Sequence, residues 1–407
     1  MIRKNKTRLL IILVFVLLIF LIIYLDNRVW DDNKSFALKK DLKVTVYSNK
    51  KISDFIKNID GKIVNDNKID TNSLGNKKIS FIYLNKNGKK RRGTFTIKVI
   101  DDVKPIIWLS SIYYVKKGSS DTIKSSIMAA DNYDKNLSRK IVGTYDLNTI
   151  GSYKLTYVAA DKSGNESKKD FTLRVYEPVK SASKINTNID GISFNDIVKK
   201  YKTKNNEIGI DVSRHQEIID FKRVKESNAS FVIIRLGYQE GVNGKYKVDP
   251  YFYKNIKNAI KNNLKVGVYF YSYANSTIEA KKQAKWVINK IKKYKITMPV
   301  AFDWECYSAF NDMSLSLFGL NDVSNAFLDE VKKRGYKVML YASKNYLESI
   351  WTYEKHPIWL AHYTSYTNYT GKYVMWQFTD RGKIDGCLLY TSPSPRDLST
   401  SRMPSSA

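Results

Sequence analysis

The feature that most restricts the fold is a series of seven short apolar runs in the C-terminal half of the chain. Three amphipathic patterns with helical spacing lie between some of them. They are Phe252, Ile256 and Ile260; Ala280, Ala284, Val287, Ile288 and Ile291; and Val323, Phe327 and Val331. Strands that alternate with helices favour a parallel sheet that is buried on both faces. We therefore predict a small or irregular TIM-like β/α barrel. An open doubly wound sheet is the alternative, although no Gly-rich phosphate loop follows the first run. The runs cover residues 208–212, 231–236, 266–271, 299–302, 338–341, 358–361 and 374–378.

Polar side chains stand where these predicted strands end. Barrels of this kind carry their reacting groups at the C-terminal ends of the strands. One acid at a strand end means little, but a set that converges on one rim predicts a functional site. The set is Asp211, Arg235, Tyr271, Asp303 with Glu305, Tyr341, His362 and Gln377.

Asp303 and Glu305 form the most informative pair. Residues i and i+2 of a strand point to the same face, about 7 Å apart along the chain. Two acids that close together favour one protonated group beside an ionised one, the division of labour that glycosidic bond cleavage needs. The pattern alone leaves two alternatives open, a structural pair held by basic groups or amides and an Mg or Ca site.

Composition narrows the remaining chemistry. The chain has 407 residues, only two cysteines and three histidines, which argues against a disulfide scaffold or a His-built metal site. The net charge is +30 because 69 Lys and Arg oppose 39 Asp and Glu. These cations are spread along the chain, so they indicate either a solvated basic surface or attraction to an anionic cell envelope.

Residues 1–30 are expected to anchor the protein in a membrane. Leu9–Leu25 is an unbroken apolar run preceded by Arg3, Lys4, Lys6 and Arg8 and followed by acidic residues. This charge asymmetry predicts a single-pass transmembrane helix with the N-terminus inside and the rest of the chain extracellular. A cleaved signal peptide is the alternative, but no A-x-A-like site follows the run. Nucleic acid is then an unlikely partner.

An internal repeat precedes the barrel. Asp70–Gly75 recurs as Asp146–Gly151, and strand-like alternation follows each copy. Asn87-Gly88 and Ser163-Gly164-Asn165 have the composition of hairpin turns. We predict two small antiparallel β-sandwiches of Ig-like type, at residues 35–101 and 102–177, and the second resembles bacterial Ig-like domains. They act as a spacer or, alternatively, bind a ligand.

Two further segments are assigned by composition. Residues 178–206 lack a strand pattern and are expected to be a linker. The barrel domain is assigned to residues 207–386 and is expected to be truncated before its last strand. Residues 387–407 contain no Lys and are rich in Ser and Pro, which indicates either a non-native tail or a genuine Ser/Pro tail.

The C-terminal part resembles glycoside hydrolase family 25, the lysozymes that cleave bacterial peptidoglycan. The resemblance begins at Ile208–Ser213 with Gln216 and Ile219–Phe221, and it extends in order to residue 386. It continues through 231–235, Asp249, Phe252, Asn255, 267–271, Asp303 with Glu305, Leu340-Tyr341, 359–361 and 376–378.

The resemblance implies the roles of individual residues. Glu305 would be the general acid and base, Asp303 would stabilise positive charge or orient the acetamido group of the sugar, and Asp211 would assist. The remaining assigned residues would contact the saccharide, although several could equally belong to the core, and Arg235 could pair with an acid instead. These substrate-binding residues are Tyr271, Tyr341, Trp359, Trp376, Gln377 and Arg235. No metal or organic cofactor is implied.

The expected function is that of a membrane-anchored N-acetylmuramidase, with peptidoglycan as substrate and anionic envelope polymers as further partners. The bond cleaved would be the β-1,4 bond between N-acetylmuramic acid and N-acetylglucosamine. A non-catalytic glycan-binding surface protein is the competing hypothesis, and a wall-spanning tether is a third.

Overall fold

A computed structural model of the chain describes residues 14, 16–19, 30–33, 35–178 and 191–387. The chain divides into two compact units, Met1–Val103 and Lys104–Ala407. The second unit contains both the second β-module and the barrel.

The first unit is built around one long hairpin. Its strands β6 and β7 pair antiparallel with Ile79 opposite Phe95. Their buried side chains include Phe81, Tyr83 and Ile97, so one face of the hairpin forms the core. The strands are β1 Trp30–Asp31, β2 Phe36–Leu38, β3 Lys43–Thr45, β4 Ile56–Ile59, β5 Gly61–Ile63, β6 Gly75–Asn85 and β7 Lys90–Ile100, with a 3-10 helix at Ile52–Phe55.

The second β-module repeats this plan. Strands β12 and β13 form the long hairpin over a core of Leu155, Tyr157, Phe171 and Leu173. The elements of this module are β8 Ile106–Trp108, β9 Ile112–Lys116, α1 Ile123–Ser126, β10 Met128–Ala130, β11 Ser138–Val142, β12 Gly151–Ala160 and β13 Glu166–Tyr176.

The pairing direction differs from the antiparallel sandwiches expected from sequence. β3 pairs parallel with β7, and β9 pairs parallel with β13 at the equivalent position of the repeat. Apolar alternation shows which face of a strand is buried but carries no information on the direction of its neighbour. Gly88 and Gly164 lie in the hairpin turns with φ of 71° and 91°. The Ig-like assignment of both modules stays a prediction.

The barrel sheet has the strand order β15-β16-β18-β19-β20-β21-β22, all parallel, with β17 antiparallel to β16. Within the described residues, β15 and β22 are the two ends of this order. The strands are β14 Ile192–Ser193, β15 Gly209–Val212, β16 Phe231–Gln239, β17 Tyr246–Val248, β18 Lys265–Ser272, β19 Val300–Trp304, β20 Val338–Ser343, β21 Ile358–Ala361, β22 Met375–Gln377 and β23 Gly382–Lys383.

Helices cover the outside of this sheet. The three amphipathic patterns read from the sequence correspond to α4, α5 and α6, and the seven apolar runs correspond to the seven parallel strands. The expected TIM-like β/α architecture of the C-terminal part is therefore confirmed, as a curled parallel sheet with helices on its outside. The helices are α2 Phe194–Tyr201, α3 Phe221–Glu226, α4 Phe252–Lys261, α5 Thr277–Ile291, α6 Leu317–Lys332 and α7 Lys344–Leu347, with 3-10 helices at Arg214–Gln216 and Tyr307–Asp312.

Alternation along the strands divides the barrel interior from the helix layer. Val300, Phe302 and Trp304 of β19 pack in the outer core with the helices. Ala301, between them, belongs to a separate inner cluster with Tyr269 and other side chains of neighbouring strands. Side chains with the parity of Ala301 therefore face the inside of the curled sheet.

Residues 192–201, which the sequence analysis assigned to a linker, contain β14 and α2. β14 pairs with β23, and Phe194 and Ile197 of α2 are buried in the outer core. The rest of the barrel boundary at 207–386 stays a prediction. Of the predicted tail 387–407, only Cys387 belongs to the described residues, and it is buried.

The expected single-pass membrane anchor is corrected by the structure. Across the described part of the chain, no helix is both long enough and apolar enough to cross a bilayer. Most of Leu9–Leu25 lies outside the described residues, and only Val14 and Val16–Ile19 are described as helical. The apolar run was identified from composition alone, whereas a transmembrane segment needs a continuous helix of about 20 residues.

We predict that Phe327→Ala lowers the free energy of unfolding by about 3–5 kcal/mol, because it removes a large buried ring from the outer core. Phe327 is fully buried, and its ring centroid lies 4.9 Å from that of Phe302. Chemical denaturation measures the loss. Ile278→Ala is the control, since Ile278 is 69% exposed on α5 and its replacement should change stability by less than about 0.5 kcal/mol. Equal stabilities for the two variants would contradict this packing.

Candidate active site

Asp303 lies at the C-terminal end of β19 on the inner face of the sheet. It follows Ala301 of the inner cluster, while Phe302 and Trp304 belong to the outer core. The side chain is only 1% exposed. In the strand register its neighbours are Tyr271 on β18 and Tyr341 on β20. A buried carboxylate is thus flanked by two phenol-bearing residues.

Glu305 follows β19 directly and is half-buried. Its negative charge raises the pKa of four tyrosines, Tyr271, Tyr307, Tyr346 and Tyr363. Burial raises the pKa of Tyr271 strongly, and the negative charges of Glu305 and Asp303 add to that shift. The two carboxylates predicted from the sequence therefore share one electrostatic environment around Tyr271, and the phenol of Tyr271 stays protonated at neutral pH.

Trp304 fixes the orientation of this pair from the other side. Its indole is fully buried, and its Nε1 donates a hydrogen bond of 3.0 Å to the carbonyl of Ala274. The ring packs edge-on against Tyr307 and Trp351. Because Trp304 is anchored in the outer core, its neighbour Asp303 is directed inward.

Gln377 connects the ends of three strands. Its Nε2 donates to Asp211 Oδ2 at 3.0 Å, and its Oε1 accepts from Tyr341 Oη at 2.8 Å and from Tyr363 Oη at 3.2 Å. Asp211 ends β15 on the inner side, between the outer-core residues Ile210 and Val212. The predicted residues Asp211, Tyr341 and Gln377 are therefore brought together.

Tyr363 is a member of this group that the sequence analysis missed. Desolvation of its hydroxyl raises its pKa, and the charges of Glu305, Asp211 and Asp380 reinforce the shift. Both Glu305 and Asp211 thus act on one phenol. The available signal was its position two residues after the end of β21, where strand-end chemistry is expected.

Arg235 is engaged inside the protein. Its Nε donates to Asp249 Oδ2 at 2.7 Å, and both side chains are almost completely buried. The same carboxylate accepts from the backbone N–H groups of Arg214 and Tyr251. Of the two interpretations of Arg235, this geometry favours the pairing with an acid over contact with substrate.

The two tryptophans assigned to the groove lie at different places. Trp359 is only 4% exposed in the inner cluster, with its ring centroid 4.7 Å from that of Tyr341. Trp376 packs against Tyr201 of α2 and donates from Nε1 to the carbonyl of His362 at 2.9 Å. The Nδ1 of His362 lies at hydrogen-bonding distance, 2.9 Å, from the Oγ1 of Thr367.

Cys306, the residue after Glu305, carries a buried thiol. Burial raises the pKa of its thiol well above the usual range, and the neighbouring charges of Asp303 and Glu305 raise it further. The sulfur donates to the carbonyl of Ser272 at 3.4 Å. A protonated, buried thiol is a poor nucleophile.

A cavity of about 220 Å³ lies beside this site, between β15 and β22. Its lining includes Asp211 and Gln377 but neither Asp303 nor Glu305. The cavity therefore reaches the polar network around Gln377 from inside the sheet. Further lining residues are Ile233, Tyr269, Trp359 and Tyr363.

The C-terminal part of the chain is similar to known glycosyl hydrolases. The model of glycosyl hydrolases family 25 matches residues 210–387. YegX of Escherichia coli O6:H1 is 29% identical over 183 residues, which cover 44% of this chain and 65% of YegX. The autolytic lysozyme of Clostridium acetobutylicum is 29% identical over 181 residues, 44% of this chain and 52% of that protein. The match thus spans less than two thirds of either relative.

Two solved structures of bacterial enzymes are similar to this part of the chain. The spore cortex lytic enzyme SleM of Clostridium perfringens is 20% identical with a TM-score of 0.40, covering 46% of this chain and 66% of SleM. A family 25 glycosyl hydrolase from Bacillus anthracis is 26% identical with a TM-score of 0.39, covering 46% of this chain and 86% of that chain. The family match and the lysozyme relative support a glycoside hydrolase domain at residues 210–387.

We predict that Asp249→Asn destabilises the protein by about 3–5 kcal/mol, because it leaves the buried Arg235 without its counter-charge. Thermal or chemical unfolding measures the change. The double replacement Arg235→Met with Asp249→Asn should recover part of the loss, since no buried charge remains and the amide oxygen of Asn can still accept from a backbone N–H group. Glu240→Gln is the control: Glu240 pairs with Lys247 at 3.8 Å on the surface, where such a pair contributes about 0–1 kcal/mol. A double variant less stable than Asp249→Asn would contradict the interpretation.

Proposed function

We propose that this protein is a peptidoglycan hydrolase of the lysozyme type. The bond cleaved is the β-1,4 bond between N-acetylmuramic acid and N-acetylglucosamine. The observation that carries the proposal is the pair Asp303 and Glu305 at the C-terminal end of β19, both acting electrostatically on Tyr271. The family match at residues 210–387 and the similarity to an autolytic lysozyme support the same reaction.

The burial of the two carboxylates supports a division of roles. A general acid has to contact the glycosidic oxygen, so it needs access from the substrate side. Glu305 is half-buried and meets this condition, whereas Asp303 is 1% exposed and lies deeper. We assign proton transfer to the leaving oxygen, and later activation of water, to Glu305. Asp303 stabilises the positive charge that develops on the sugar or orients its acetamido group.

Asp211 assists from β15. The N–H donor of Gln377 holds one oxygen of this carboxylate, and such a bond stabilises the ionised form. An ionised Asp211 adds negative charge to the environment of an oxocarbenium-like transition state. Gln377 is a positioning residue in this proposal, since it also accepts from Tyr341 and Tyr363.

We assign the saccharide contacts from the solvent exposure of the aromatic side chains. Tyr271 is half-buried beside the acid pair and is available to a sugar. Tyr341 and Trp359 are almost fully buried and support the wall of the groove from beneath. Tyr363 is 53% exposed, which suits stacking of its ring on an apolar sugar face. Arg235 and Trp376 act indirectly in this proposal. Arg235 pairs with Asp249, and Trp376 donates to the carbonyl of His362.

The β-modules that precede the C-terminal domain, and the charge of the whole chain, also have proposed roles. We propose that the two β-modules are Ig-like domains at about residues 35–101 and 102–177. The net charge of +30 favours contact with anionic polymers of the cell envelope, close to the peptidoglycan substrate. A glycan-binding protein without catalysis would bind peptidoglycan fragments but release no reducing ends.

We predict that Glu305→Gln lowers the rate of reducing-end release from purified peptidoglycan by about 10²–10⁴-fold, because an amide cannot donate the proton that the leaving oxygen needs. Asp303→Asn should also lose most activity through the missing charge. The matched control is Glu226→Gln, which makes the same chemical change on an exposed position of α3. Rates equal to the unmodified protein for both Glu305→Gln and the control would reject the role of Glu305.

We also predict which sugar the reaction leaves at the new reducing end. Cleavage at the proposed bond exposes N-acetylmuramic acid, so reduction of the products with borohydride should give the alditol of muramic acid. Mass spectrometry of the reduced fragments identifies it. Finding the alditol of glucosamine instead would show that the other glycosidic bond is cut, and finding neither would favour the binding-only alternative.

A further inference from the structure

The ribbon formed by β8 and β10 serves two hydrophobic cores at once. Ile107 and Ala129 pair across the ribbon and point into the core of the second β-module. Met128 and Ala130, the residues on either side of Ala129, are buried in the outer core of the barrel. Trp108, which pairs with Met128, packs against that same core. A spacer module would present a polar outer face here, whereas this ribbon is apolar on both faces.

The start of helix α6 depends on the same module. The first N–H groups of a helix have no partner within the helix. Here Leu317 N donates to the carbonyl of Asp131 at 2.8 Å, and Phe318 N donates to the carbonyl of Asn132 at 3.3 Å. Ser316, the N-cap, serves the next donor, Gly319 N, at 3.1 Å. The β-module thus supplies two acceptors that the helix needs.

Asn311 makes the most specific contact. Its Oδ1 accepts from Ala129 N at 3.2 Å, and its Nδ2 donates to the carbonyl of Ile127 at 2.9 Å. Both partners are backbone groups around β10. One side chain of the barrel therefore binds two backbone groups of the β-module, the N–H of Ala129 and the carbonyl of Ile127.

Asn311 belongs to the 3-10 helix Tyr307–Asp312, which begins two residues after Glu305. In this helix Phe310 packs against Trp304, and Tyr307 accepts from Trp351 Nε1 at 3.3 Å. The segment between Glu305 and α6 is therefore held on the barrel side by aromatic contacts and on the other side by β10.

From these contacts we infer that the second β-module is a structural part of the catalytic unit, and that Asn311 is a positioning residue for the segment that carries Glu305. The catalytic role of Glu305 rests on the function proposed above, whereas the joining of module and barrel does not. On this view the functional unit begins near residue 104 and the first β-module lies outside it.

The test is hydrogen–deuterium exchange on the full chain, comparing the unmodified protein with Asn311→Ala. We expect peptides covering 306–316 and 127–132 to exchange about 10-fold faster or more in the variant, because local opening no longer breaks the bridge. Asn206→Ala is the matched control. Asn206 also bridges backbone groups, accepting from Thr203 N and donating to the carbonyl of Tyr201, but within one loop. It should leave both peptides unchanged.

A second measurement needs no variant. In the unmodified protein, the slowest amides of β12 and β13 should exchange within about threefold of the slowest amides of β18 and β19, as expected of one cooperative unit. A difference above about 10-fold, or unchanged exchange of 306–316 in Asn311→Ala, would overturn the inference.

Activity provides the third measurement. Asn311→Ala should lower kcat for peptidoglycan hydrolysis by about 10-fold or more with KM changed less than about twofold, since a displaced general acid impairs the chemical step rather than binding. An unchanged kcat would reject the positioning role. If the unmodified protein releases no reducing ends, the proposed function fails, and the exchange experiments alone decide whether module and barrel form one unit.

Discussion

The arrangement of the site depends on the alternation of one buried strand. In β19, Phe302 and Trp304 are fully buried against the helices, and this fixes Asp303 on the opposite face. A shift of the strand by one residue would place the carboxylate in the apolar layer and expose the indole to the inside of the sheet. Burial of the indole, with its hydrogen bond to Ala274, therefore determines the direction of the acid.

Around this strand, buried polar groups are joined to one another across strand ends. Gln377 links Asp211, Tyr341 and Tyr363, and Asp249 links Arg235 to two backbone N–H groups. Buried polar groups that lack partners are costly, so networks of this kind select one arrangement of the rim. The positions of Asp211 and Arg235 are consequently set by partners on several different strands rather than by one local motif.

The second β-module adds contacts of the same kind outside the barrel sheet. Its ribbon of β8 and β10 is apolar on both faces, and its backbone carbonyls accept from the first turn of α6. An element with two apolar faces is stable only when both are covered. The segment that follows Glu305 thus lies between two cores.

The sequence by itself determined the seven parallel strands, the three amphipathic helices and the acid pair, because each of these is recorded in local periodicity. It also found Asp211, Tyr271 and Gln377, since each stands where an apolar run ends. It did not reveal the parallel pairing of β9 with β13, and it assigned α2 to a linker. The membrane-spanning helix that it suggested was not found among the described residues. Only the tertiary structure decided that Arg235 pairs with Asp249, that Tyr363 joins the site, and that the second β-module packs on the barrel. These are contacts between residues distant in sequence, and hydrophobic periodicity records which face of an element is buried but not what buries it.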